Sequence, residues 1–245
     1  MKAHCKQLLK LALFVPLFLM AQQANAQQKV LIIISSHHYG YYLPEVITPY
    51  RLLKQAGIAI DIASPYGGVG RGAGEKLLSD IDKSYRHHLE QQLASPLVLA
   101  NIDTKDYDAV YIAGGAGPMM DLYGHPQIQR IVSTMYLENK VISADCHGPA
   151  ALAAVTLPNG EFMVKGKRLT AKSDAEEGNW ARNNYPFSLE ARLKARKAIF
   201  SAANPRQAWV VQDGNLLTGQ NPKSAEPLAK QLIEMLNEMK ETTVE

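Results

Sequence analysis

The residues best equipped for covalent chemistry stand together at Cys146-His147-Gly148-Pro149. They follow Val141 to Asp145 (VISAD) and lead into a run of small residues, Ala150 to Ala154 (ALAA after Ala150). A strand that runs directly into a cysteine and then into a small-residue helix is the turn that holds a nucleophile above a sheet. Such a turn is strained and needs small neighbours, which Ala144, Gly148 and Ala150 supply. A helix N-terminus pointing back at the sulfur would favour the thiolate, the nucleophilic form. The other reading of a lone cysteine in this setting is a buried, inert thiol between a strand and a helix.

Other groups gain meaning from their distance to that turn. Gly114-Gly115 follows Ala109 to Ala113 (AVYIA), and the bare peptide N–H groups there, with the amide of His147, could stabilise a developing oxyanion. The loop lacks the third glycine of a dinucleotide fingerprint, and the chain has no Walker loop. Glu45 begins a helix, where position alone reads it as an acid facing the helix dipole. His38 follows the first strand and could line a cleft, while Glu176, Glu177 and Trp180 could form its wall or simply lie on the surface. The histidines include the adjacent pairs His37-His38 and His87-His88 but no H-x-x-x-H pair, so a dedicated zinc site is not supported, and no cofactor is expected.

The elements that must position these groups alternate. Lys29 to Ser36 (KVLIIISS) is a continuous apolar run, as in a strand covered on both faces. Glu45 to Ala56 has helical apolar spacing, stops at Gly57, and carries Pro49 where a kink is expected. Strands are expected at Ile58 to Ala63, Ala109 to Ala113 and Val141 to Asp145, weaker ones near 162–171 and 208–218, and helices at Gln127 to Glu138, from Gly148, and at Pro222 to Lys240. The 66–106 connection is long, with some helix expected around 85–93. The alternation predicts a three-layer α/β/α sandwich on a mostly parallel central sheet. Sites in such sheets lie beyond the carboxyl ends of the strands, where His37 to Glu45, the Gly114 loop and Cys146 converge.

Residues 1–26 stand apart. Lys2, Lys6 and Lys10 precede the apolar core Leu11 to Met20 (LALFVPLFLM), which is too short to span a bilayer, and Ala24-Asn25-Ala26 then offers an A-x-A cleavage site. This order predicts a secretory signal peptide, a mature domain of 27–245, a periplasmic location and no stable membrane association after cleavage. Without the leader the chain has 23 acidic residues and as many basic ones, so nothing argues for nucleic acid as a partner. Cys5 leaves with the leader, and Cys146 remains as a lone thiol in an oxidising compartment.

Three blocks together carry a family resemblance: ADCHGPAAL around Cys146, YYLPEV through DIASPYGG at 41–68, and VVQDGNLLTGQNPKSA at 210–225. With SDAEE at 173–177 and PFSLEARL at 186–193, they resemble the ThiJ/PfpI superfamily, in particular its glyoxalase III and heat-shock chaperone branch. The resemblance spans essentially the whole chain after the leader. It implies a flavodoxin-like fold and a glutathione-independent glyoxalase that converts methylglyoxal, a 2-oxoaldehyde, to lactate through a Cys146 hemithioacetal. It also implies that Cys146 is the nucleophile, that His147 follows it in the site, and that the Glu45 carboxyl group meets the sulfur. Gly115 and His147 would form the oxyanion hole. For the acid that partners the histidine, Asp174, Glu176 and Glu177 stay open. Homodimers are common in the family. The loop usually reads GGHG there, and Ala116 removes that imidazole here. Two other classes fit the same thiol: a cysteine hydrolase acting on amides or peptides, and a redox-sensing or holdase chaperone without turnover.

Overall fold

A computed structural model describes residues 27–242. Its strands, in chain order, are β1 (Lys29–Ile33), β2 (Tyr41–Tyr42), β3 (Ala59–Ser64), β4 (Gly72–Ala73), β5 (Leu97–Val98), β6 (Ala109–Ile112), β7 (Val141–Asp145), β8 (Arg168–Leu169), β9 (Ile199–Phe200), β10 (Val210–Asp213) and β11 (Leu216–Gly219). The helices are α1 (Pro44–Gln55), α2 (Asp80–Ala94), α3 (Pro118–Asp121), α4 (Pro126–Leu137), α5 (Asn179–Asn184), α6 (Leu189–Ala195) and α7 (Ala225–Thr242). The leader lies outside the described residues.

Seven strands make one sheet in the order β10-β11-β7-β6-β1-β3-β5. Every neighbouring pair is parallel except the β10–β11 hairpin. Val30 to Ile33 of β1 and Ile34 directly after it are fully buried, and their alternation divides the core. Val30, Ile32 and Ile34 face α1 and α7, meeting Val46, Ile47, Leu53, Leu228 and Leu232. Leu31 and Ile33 face the other layer, with Ile128, Ile131 and Met135 of α4 and Leu189 and Leu193 of α6. The result is the flavodoxin-like three-layer sandwich.

The structure refines three local expectations. The helix runs through Pro49 to Gln55. The 66–106 connection carries α2, longer than expected, capped by the Ser79 hydroxyl, which accepts from the Asp82 amide. Asp82 in turn accepts from Thr48 Oγ1 at 2.9 Å and Arg51 Nε at 2.7 Å, bolting the connection to α1. After Cys146 there is no α-helix: two short 3-10 turns, Gly148–Ala150 and Leu152–Ala154, take its place. The amides of Ala150, Ala151 and Val155 bond three residues back, to the carbonyls of His147, Gly148 and Leu152, which is the 3-10 pattern.

Candidate active site

The carboxyl ends of β6 and β7 and the start of α1 meet at one point. Cys146 sits just past β7 with φ +56°, a backbone conformation that a residue with a β-carbon adopts at a cost of about 1–2 kcal/mol. The strain is held from both sides: the Cys146 amide donates to Gly219 O at 3.0 Å, and its carbonyl accepts from the Lys172 amide at 2.8 Å. Gly114 stands where no side chain fits, because a β-carbon there would collide with Glu45 Oε2 and lie 2.7 Å from Cys146 Cβ. The glutamate carboxyl and the cysteine therefore face one another across a bare backbone. Gly115 has φ +111°, and a β-carbon on it would strike the Tyr41–Tyr42 backbone at 2.6–2.7 Å. Among the described residues, neither the Gly115 amide nor the His147 amide has a backbone acceptor, so both donors are free for a ligand oxygen.

A relay runs away from the sulfur on the other side. Cys146 Sγ lies 3.6 Å from His147 Nδ1, and His147 Nε2 lies 2.6 Å from Glu177 Oε1. His147 and Glu177 are both nearly buried there, at 8% and 11% side-chain exposure. Of the three acids left open by the sequence, Glu177 is the one that meets the imidazole. Asp174 accepts from Ser188 Oγ at 2.7 Å and its amide donates to Glu190, tying the loop to α6. Glu176 points elsewhere: it accepts from Asn221 Nδ2 at 2.9 Å and pairs with Lys172 Nζ at 3.3 Å. His38 is exposed, stacked on His37 and Tyr39, and makes no contact with the sulfur.

The electrostatics differ from the sequence expectation. Without an α-helix behind it, the thiol gains little from a dipole. Burial, reinforced by the Glu45 carboxylate, pushes the Cys146 thiol well above its ordinary value, and only Lys172 among the charged neighbours pulls the other way. Burial also raises Glu45 to about 8, against the opposing pull of the Cys146 thiol, the Lys172 charge and the Gly114 amide. Glu45 is fully buried, and no partner of full hydrogen-bond geometry reaches either carboxyl oxygen. A buried acid left unsatisfied is costly and is expected where a ligand will complete its bonds. Asp145, beside the cysteine, is a second buried acid raised by its burial and by Glu45, with the Tyr111 hydroxyl 3.5 Å away.

Sequence reasoning passed over two contributors. Lys172 is the ammonium facing this acidic group, held up by Cys146 and Glu176 although burial opposes its charge. Its only sequence signal is the i,i+4 spacing to Glu176. Tyr185 lies edge-on to His147 at 5.1 Å between ring centroids, and nothing in its local pattern marks it.

The arrangement can deprotonate a thiol through His147–Glu177, hold an oxyanion on two amides, and offer a second, separately placed acid with a pKa near neutrality. Comparison with known proteins agrees with that chemistry. The sequence profile of the DJ-1/PfpI family matches residues 28–235. Glyoxalase 3 of Candida albicans is 25% identical over 84% of this chain and 97% of its own. A glutathione-independent glyoxalase of Schizosaccharomyces pombe is 27% identical over 86% of this chain and 99% of its own. Among solved structures, the Francisella tularensis Rapid Encystment Protein 24 kDa superposes with a TM-score of 0.80 at 32% identity, covering 85% of this chain and 98% of that one. Glyoxalase III of Candida albicans gives 0.78 at 25% identity, covering 84% and 96%.

Proposed function

The chain belongs to the DJ-1/PfpI family, and from that premise we propose that it is a glutathione-independent glyoxalase that converts methylglyoxal to lactate. His147, backed by Glu177, takes the Cys146 proton as the sulfur adds to the aldehyde carbon, giving a hemithioacetal. The Gly115 and His147 amides receive the oxygen. Glu45 removes the proton from C1 and returns it at C2, converting the hemithioacetal through an enediol to a lactoyl thioester. Water, activated by His147, then releases lactate and restores the thiol. One water is consumed overall; C1 is oxidised and C2 reduced within the same molecule, so no external electron carrier is required.

The observation that carries this reading is Glu45, fully buried, facing the Cys146 thiol and the Gly114 amide, raised to about 8 and set across Gly114 from the cysteine. A cysteine hydrolase needs the thiol, the imidazole, its acid and the oxyanion donors, but no second acid beside the sulfur. A proton shuttle between adjacent carbons does need one, with a pKa close to the working pH. Export to the periplasm rests on the Lys2-to-Ala26 leader, and a homodimer on the family resemblance alone.

The test is lactate formation from methylglyoxal by purified, reduced protein without glutathione, beside Cys146→Ser. Turnover that disappears in the variant supports the proposal. An inactive unsubstituted protein that nevertheless hydrolyses small esters or amides overturns it in favour of the hydrolase.

A further inference from the structure

One feature beside the relay is not used by this chemistry with a methyl-substituted substrate. Tyr39, in the loop after β1, meets Trp180 of α5 edge-on at 5.1 Å between ring centroids. Trp180 meets Tyr185 edge-on at 5.8 Å, and Tyr185 meets His147 at 5.1 Å. His37 joins the outer end against Tyr39 at 4.7 Å. The rings thus form a continuous wall from solvent to the histidine that faces the sulfur. Its middle member is open, since Trp180 is 50% exposed although it is the largest side chain of its helix. Beside Tyr185 and Glu177 the wall is undercut by a recess of about 370 Å³, bordered also by Ala181 and Phe187.

Edge-to-face packing leaves ring faces and edges available to a further flat group, and each such contact favours binding by about two- to ten-fold. With the aldehyde carbon bonded to Cys146 and its oxygen on the Gly115 and His147 amides, a planar substituent on the ketone carbon extends farther from the sulfur than a methyl group does. Beyond the imidazole the next ring is Tyr185, and beyond that Trp180.

We propose that the Tyr39–Trp180–Tyr185 wall is a specificity site that selects 2-oxoaldehydes bearing an aryl or similarly flat apolar substituent over methylglyoxal. The inference rests on the glyoxalase reading for its chemistry. With phenylglyoxal as the probe, addition of Cys146 to the aldehyde, transfer of the C1 hydrogen to C2 as a proton, and hydrolysis give mandelate with uptake of one water.

The experiment compares kcat/KM for phenylglyoxal and methylglyoxal in the unsubstituted protein, Trp180→Ala and Trp180→Phe. Trp180 is half exposed, so its truncation should leave the fold intact, which circular dichroism checks. The expected result is a phenylglyoxal preference of about ten-fold, carried by KM. Trp180→Ala should cost phenylglyoxal about five-fold more than methylglyoxal, with Trp180→Phe restoring most of the difference. Equal losses on both aldehydes, or no preference to begin with, overturn the specificity site while leaving the glyoxalase reading intact. If neither aldehyde is turned over, the glyoxalase reading fails, and the wall is then judged by calorimetric binding of mandelate to Cys146→Ser. Weaker binding after Trp180→Ala supports an aryl site; unchanged binding overturns it.

Discussion

The two walls of the cleft are built on different principles. The sheet wall consists of Glu45, Gly114 and Cys146, none more than 5% exposed where side chains are present, and its geometry is set by backbone. The Tyr42 amide donates to Gly114 O at 3.0 Å, Cys146 is pinned at both its amide and its carbonyl, and glycine stands where a β-carbon would collide. The opposite wall, from Lys172 to Tyr185, holds only a short helix, and side chains tie it down: Arg182 Nε donates to Glu177 O at 3.1 Å, and Asn221 and Ser188 hold Glu176 and Asp174. The first wall fixes the reacting sulfur and admits no variation. The second brings the relay's carboxylate, the cation and the Trp180 and Tyr185 rings, and is the natural place for rate and specificity to be adjusted.

If that division holds, the largest effects belong to the sheet wall. Gly114→Ala places a methyl group against Glu45 Oε2 and Cys146 Cβ, so glyoxalase turnover should fall by about a thousand-fold while the core remains folded. Turnover within ten-fold of the original would mean that the backbone there is not the determinant. Glu45→Gln should cost about as much, through loss of the proton carrier. The same substitution should stabilise the fold, and the sign follows from linkage. Well below pH 4.5, the carboxyl is protonated in folded and unfolded chains alike. Between 4.5 and about 8 the unfolded chain releases its proton and the buried group keeps it, so stability drains away as pH rises, and above 8 the decline ends. Thermal melts of the two proteins should therefore diverge from pH 5 to pH 8, with the glutamine variant ahead by about 2 kcal/mol or more at the upper end. A gap that closes toward pH 8 would contradict the burial of an ionisable acid at this position.

The same division explains what was legible in the sequence. The continuous apolar run of Lys29 to Ser36, the strand ending at Asp145 and the glycines after β6 are all written in local pattern, and backbone geometry follows from them. Cys146 and its neighbours were therefore readable as an elbow. The Glu45 partnership was not: the start of a helix looks the same whether its acid faces solvent or sulfur, and only the family resemblance separated the two. Glu177 could not be distinguished from Asp174 and Glu176, because a non-repetitive loop gives no periodicity from which to read direction. Lys172 lies in the same loop and Tyr185 just past the short α5, and neither stands in a run long enough to show a period. The sequence expectation for the thiol's electrostatics rests on a helix after Cys146, where the structure has two 3-10 turns that small apolar residues do not distinguish from an α-helix.

The second wall should yield smaller, graded effects. Glu177→Gln keeps a hydrogen-bonding group 2.6 Å from His147 but removes the charge that stabilises the imidazolium, so kcat should fall by about a hundred-fold. Glu176→Gln, by contrast, loses a buried ion pair remote from the imidazole, and its effect should appear in melting temperature before activity. Equal kinetic losses in the two would erase the distinction between relay and scaffold. Lys172→Met is the mildest of the series. Its ammonium is the cation that lowers the Cys146 thiol against burial and two carboxyl groups, so removing it should move the rate profile for iodoacetamide alkylation of Cys146 to higher pH. Turnover near pH 7 should fall about five-fold, with Lys172→Arg recovering part of it. A purely structural lysine would change stability and leave the alkylation profile where it was, so the profile decides whether the loop wall acts on the sulfur through charge or merely stands beside it.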